Sequence, residues 1–293
     1  MPARRRKQRL IKKNKRLNIK GLAFLVLATL VVLFILFFQK SKMEKAVVVY
    51  PLRDYIEVAV FDFEKGEIIS IEIPDTTEVN VARGLGTWKI GKVWQIGQNE
   101  KLDGELLRET VVKNFGFPVA FWMDGDLGSW LIDNEVRFSK GMFSAKTNLN
   151  WAQKIRLKQL GFFAKNNEKS SINLANTSYL VRNEFLDGTS GYRITGTVPE
   201  KLFVYFGNKK IAQVGTILVI DGSGTYGLVE SVSKTISFLG NKVTLVQDGQ
   251  TKPIECEVAG QGALEIEKLL GCKVVNSDTQ GFDLVVTLGE NFL

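Results

Sequence analysis

A chain of 293 residues exceeds one ordinary domain and accommodates two modest ones beside a short anchor. Its 45% hydrophobic share suits a globular core, and the complete lack of His removes imidazole general bases and the common zinc sites. The net charge of +8 is concentrated at one end: residues 1–20 hold ten Lys and Arg and no acid, so the remainder nets −2 and offers no footprint for nucleic acid.

The basic tail, 1–20, abuts residues 21–38, eighteen positions without charge among which only Thr29 has a polar side chain. A helix of that length spans about 27 Å, close to the hydrocarbon thickness of a bilayer, and satisfies every backbone group internally. The expectation is one transmembrane helix over 21–38, with the tail cytoplasmic and the rest outside the cytoplasm in the cell envelope. A cleaved signal peptide is the alternative. Against it, the run is long and is followed by Gln39-Lys40-Ser41-Lys42, with no small-residue cleavage site.

Residues 46–50, 55–63 and 68–73 run apolar and β-branched and read as strands, with a turn at Glu64-Lys65-Gly66-Glu67. Leu106, Leu107, Val111 and Val112 at helical spacing predict a helix over 103–115, closed by Gly116. Residues 117–123 read as a strand. Residues 148–164 read as a helix with Trp151, Ile155, Leu160 and Phe163 on or near one face and Lys154, Arg156 and Lys158 on the solvated side. Strands and helices interleave, which predicts an α/β layered domain over 46–200, with 184–211 as the inter-domain stretch.

The alternation then resumes. Strands are expected at 216–220, 242–246, 254–258, 273–275 and 284–288, and helices at 228–239 and 262–270, giving a small α/β domain over 212–293. Cys256 and Cys272 fall inside it. An exported pair can form a disulfide or serve as two small buried hydrophobes, and the sequence leaves both open.

The second unit opens on Asp221-Gly222-Ser223-Gly224-Thr225-Tyr226-Gly227, which satisfies G-x-G-x-x-G between a strand and a helix, with Asp248 at the end of the next strand. This is the pattern of a dinucleotide-binding regulator. The unit is short for a doubly wound domain, and the expected orientation separates it from the nicotinamide pool. A tight strand-to-helix turn explains the same glycines.

Taken together, these segments resemble the LytR-CpsA-Psr family of envelope proteins, with a LytR-type C-terminal domain. The likeness rests on Arg53-Asp54-Tyr55 before a strand and on Ile71-Glu72-Ile73-Pro74-Asp75-Thr76-Thr77 ending the next. It also rests on Lys89-Ile90, Gly97, Leu106-Leu107-Arg108-Glu109-Thr110-Val111 and Gly116-Phe117-Pro118. In the second unit, Asp221-Gly222-Ser223-Gly224 and the run from Asp283 to Gly289 match as well. The resemblance implies an enzyme that transfers a glycopolymer from a polyprenyl pyrophosphate carrier to peptidoglycan. Catalytic positions would fall on Arg53, Asp54 and Lys89, Asp54 would hold a magnesium ion, and an apolar pocket would take the lipid. Where the family has Arg after the Pro, however, this chain has Asp75, replacing attraction for a pyrophosphate with repulsion. The expectation is therefore a degenerate scaffold or lipid- and glycan-binding member in cell-wall assembly. An active phosphotransferase using Arg53, Asp54 and Lys89 or Arg83 is the alternative.

Protease added to intact cells is expected to digest the chain beyond Lys40 and spare the basic tail, as read by immunoblotting against each end. Digestion of the larger portion only after cell rupture would refute the orientation.

Overall fold

A computed structural model describes residues 44–132, 145–164, 169–185, 188–195, 198–225 and 227–292, together with Thr29. Thr29 apart, the expected membrane helix over 21–38 lies outside the described residues. Among those described, no helix is long and apolar enough to cross a membrane. Residues from Met43 onward cluster as one unit, separate from 1–42.

The first strands are β1 (Lys45–Pro51), β2 (Tyr55–Asp62) and β3 (Glu67–Pro74), all antiparallel, with Val48 opposite Ala59 and Val58 opposite Ile71. The β2–β3 turn is held by the Asp62 carboxylate, which accepts from the Glu64 and Lys65 backbone N–H groups, and by Gly66 at φ +73°. Val47, Val49, Val58, Val60, Ile69 and Ile71 are buried on one face of this sheet, and Ala46, Val48, Tyr50, Ala59, Phe61 and Ile68 on the other. Both faces are covered, which is why these strands read as continuous apolar runs.

Next come a ribbon, β4 (Glu78–Asn80) and β5 (Thr87–Lys89), and helices α1 (Val93–Asn99) and α2 (Glu105–Phe115). Gly116, at φ +72°, closes α2 as expected. The strand expected over 117–123 shrinks to β6 (Phe121–Trp122), because Pro118 has no N–H for a ladder and the preceding residues dive into the core. Helices α3 (Gly125–Ile132) and α4 (Trp151–Phe163) cover the second face of the sheet, and β7 (Lys169–Asn173) completes the strand order β6-β1-β2-β3-β7.

The structure corrects the orientation expected for α4. Asn150 and Gln153 form a reciprocal capping box at its start. The buried residues are Lys154, Leu157 and Gly161, whereas Trp151, Phe162 and Phe163 are 54%, 69% and 72% exposed. Gly161 sets this choice: a Cβ there would stand 2.1 Å from the Leu131 carbonyl oxygen, so α4 meets α3 backbone to backbone along its small residue. Lys154 is accordingly not on a solvated side, and burial pushes its pKa down against the pull of Asp124.

The stretch read as a connection over 184–211 carries structure of its own. It includes the end of β8 (Leu180–Glu184), its partner β9 (Ser190–Ile194), and helices α5 (Glu200–Phe206) and α6 (Lys209–Ala212).

The second sheet holds β10 (Ile217–Asp221), β11 (Leu245–Asp248), β12 (Cys256–Gly260), β13 (Lys273–Val274) and β14 (Leu284–Leu288), ordered β11-β10-β14-β12-β13. Helices α7 (Leu228–Phe238) and α8 (Ala263–Leu270) accompany it. The strand expected at 242–246 forms later, at β11, an exposed edge.

Cys256 and Cys272 are joined in a disulfide linking β12 to the segment just before β13. Replacing both with Ser is expected to lower stability by about 3 kcal/mol for a loop of this length. Chemical denaturation of the two forms would show it as a lower midpoint, with any change in slope reflecting the less constrained unfolded chain.

Candidate functional site

The segment that follows β3 builds one wall of a cleft. Asp75 packs directly on Gly91: the Gly91 N–H donates to the Asp75 carbonyl, and a Cβ on Gly91 would lie 2.8 Å from that of Asp75. This contact folds the ribbon β4–β5 back over the sheet. The β8–β9 hairpin supplies the other wall. Gly191 lets β9 approach, since a Cβ there would come within 2.4 Å of the Thr76 carbonyl, and the Tyr192 N–H donates to that same oxygen.

Between these walls lies a cleft of about 530 Å³ lined by Glu78, Thr87, Trp88, Lys89, Lys92, Phe185 and Arg193. Three cations and two aromatic rings thus face one space. The Lys89 ammonium donates to the Thr189 hydroxyl at 2.7 Å and stands 5.5 Å from the Phe185 ring centre. The Arg193 guanidinium is 5.7 Å from the same ring and 3.5 Å from the Glu78 carboxylate. Trp88 is half exposed, its indole N–H fixed by the Leu85 carbonyl. Fixed aromatic faces can stack on sugar rings, and the lysines can neutralise phosphate or carboxylate groups as point charges.

Of the residues marked in the sequence, Lys89 lines this cleft and the others do not. Arg53 and Asp54 lie exposed in the β1–β2 connection, and neither side chain makes a hydrogen bond or ion pair with another described residue. The Asp54 backbone carbonyl accepts from the Asp75 N–H, so the two motif segments do meet through main chain. Arg83 is committed elsewhere. Held at φ +58°, its guanidinium makes two 2.7 Å hydrogen bonds to the buried carboxylate of Glu109, which raises its pKa further. Lys158 donates to the Trp130 carbonyl, and Arg156 lies over the Phe63 ring.

Among the described residues no three acidic or cysteine side chains, around Asp54 or elsewhere, converge in a way that would hold a metal.

Trp88, Lys92, Phe185 and Arg193 were not marked in the sequence. Trp88 and Lys92 had a usable signal, flanking Lys89 within four residues. Phe185 and Arg193 reach the cleft only through the hairpin, about a hundred residues later in the chain.

The glycine turn has a structural use. A Cβ on Gly222 would meet the Gln250 carbonyl at 2.6 Å and that of Leu288 at 3.0 Å, and the Asp221 carboxylate caps the turn through the Ser223 N–H and hydroxyl. Strand β10, helix α7 and strand β11 do form a parallel crossover unit, but β12 runs antiparallel to β14, so the sheet is mixed rather than doubly wound.

No protein-family profile and no curated protein sequence matches the chain. Among solved structures it is similar to TagV of Bacillus subtilis, with a TM-score of 0.39 and 11% identity over 53% of this chain and 92% of that one. TagT of the same organism matches with a TM-score of 0.37 and 13% identity over 52% and 84%. A structure described as TagT bound to LI-WTA gives 0.38 and 14% over 52% and 85%.

Gly222→Ala is expected to cost roughly 1–3 kcal/mol through the clash with two carbonyls. Gly224→Ala, at φ +64° with open space around it, should cost no more than about 1 kcal/mol. Thermal unfolding of the two variants would rank them. The reverse order would mean that the turn is shaped by something other than sheet packing.

Proposed function

We propose that this chain is a membrane-anchored envelope protein of LytR-CpsA-Psr type, facing outside the cytoplasm, that binds an anionic, lipid-linked glycan in cell-wall assembly without transferring it. The observation that carries this reading is the cleft: Lys89, Lys92 and Arg193 beside Trp88 and Phe185, in a volume within the usual range for small-molecule sites. Cations supply attraction for phosphate, and rings supply faces for sugars. The reading is supported by the position of the cleft, which lies on the segment after Pro74 where the resembled family handles its pyrophosphate. The absence of transfer in this reading rests on Asp75, which stands outside the cleft lining at the position where that family places Arg.

Lys89→Ala with Lys92→Ala is expected to weaken binding of a polyprenyl-pyrophosphate-linked glycan about a hundredfold, at roughly 1.5 kcal/mol per charge-assisted contact. Trp88→Ala should weaken it without altering the salt dependence. Isothermal titration of the full chain in detergent measures both. Transfer of the glycan to peptidoglycan fragments by the purified chain would refute the binding-only reading and favour the phosphotransferase.

A further inference from the structure

The exposed side of α4 is apolar in the wrong direction for a globular surface. Trp151, Ile155, Phe162 and Phe163 recur at helical spacing and, with Trp130 and the stem of Lys158, line a shallow recess of about 450 Å³. Phe162 and Phe163 meet edge to face at 5.3 Å with most of both rings open to solvent. The thirteen residues of α4 include Lys154, Arg156 and Lys158 and no acid. Exposed Trp and Phe with cations at their rim, on a helix lacking negative charge, match the surface of an anionic bilayer. Rings occupy the headgroup boundary there, and long cationic stems reach outward to phosphate.

The chain's own connectivity singles out that partner. In the sequence, residues 39–43 are all that stand between Phe38 and Glu44. The Glu44 carbonyl accepts from the Phe63 N–H, and the Phe63 ring lies 4.6 Å beneath the Arg156 guanidinium of α4. The chain therefore enters the folded part beside the helix that carries the open rings.

We propose that α4 is a membrane-docking surface: Trp151, Phe162 and Phe163 insert among the lipids of an anionic leaflet while Arg156, at their rim over the Phe63 ring, contacts their phosphates. This rests on the anchor proposed over 21–38, and it fixes which face of the first sheet turns to the bilayer.

The test uses the full-length chain in nanodiscs of phosphatidylglycerol and phosphatidylcholine, with and without bromine on the acyl chains. The Trp151 contribution is the difference in emission between the native chain and Trp151→Phe. Bromine is expected to quench that contribution at least twofold. In Phe162→Ser/Phe163→Ser, two exposed sites whose replacement should leave the near-ultraviolet dichroism unchanged, the quenching should fall away. Equal emission with and without bromine overturns the proposal. So does a dimer in detergent that the double substitution disperses, because the face would then belong to a second copy. Washing native membranes with alkaline carbonate judges the anchor separately. If the chain is released, the anchor reading fails, and brominated phosphatidylglycerol vesicles added to the released chain then decide the role of α4 alone, with absence of quenching again refuting it.

Discussion

The described fold from Glu44 onward depends on one aromatic junction. Phe117 stacks on Phe206 at 5.0 Å, meets Phe238 edge-on at 5.3 Å and lies 5.5 Å from Phe115, while Phe203 stacks on Phe238 at 4.8 Å. The buried Tyr179 hydroxyl donates to the Phe115 carbonyl, and its surroundings push its pKa well above the usual phenol range. These rings come from the end of α2, the segment before β8, the helix α5 and the helix α7, so the first sheet and the second share one continuous apolar core. Offset and edge-on pairs add about 0.5–1.5 kcal/mol each beyond their burial, so the junction strengthens the seam beyond its apolar area alone.

The residues around the junction are what bring the helix α2 into the seam. Gly116 is needed twice there: its left-handed conformation ends α2, and a Cβ on it would strike the Lys234 side chain of α7 at 2.7 Å. Arg108, buried on α2, donates to the Val119 and Leu269 carbonyls and so ties that helix to the end of α8. Segments that resemble family motifs, Gly116-Phe117-Pro118 and the Leu-Leu-Arg-Glu-Thr-Val stretch, therefore act here as the mortar between two sheets.

How much of this was legible in the sequence depended on whether burial left a periodic trace. The strands β1–β3, α2 with its closing glycine, and β10, α7 and β14 all show one, because each places apolar residues at a regular spacing. The helix α4 was found but turned the wrong way, since its packed face is set by Gly161, and a glycine contributes nothing to an apolar stripe. Residues 184–211 looked like a connection because a short exposed hairpin and a seven-residue helix carry turn residues and little periodicity. The cleft was half visible. Trp88, Lys89 and Lys92 are local, whereas Phe185 and Arg193 depend on Gly191 allowing a distant hairpin to lie on Thr76, which no local pattern encodes.

The two faces of the first sheet also divide the work. One face, with Val49, Val58 and Ile71, packs on α1 and α2 and continues into the aromatic junction. The other, with Val48, Ala59 and Phe61, is closed by α3 and α4 in a separate smaller core. The ribbon β4–β5 has its buried residue, Val79, in the first of these cores, whereas the open rings of α4 stand outside the second. A load on α4 reaches the cleft through β7, which follows α4 in the chain and leads to the β8–β9 hairpin, and through the central strands, which are buried on both sides and bound into the sheet along their length. Such strands resist bending because any shift must repack two cores at once. Under the docking proposed for α4, the same sheet would hold the cleft in fixed geometry while its opposite side meets lipid.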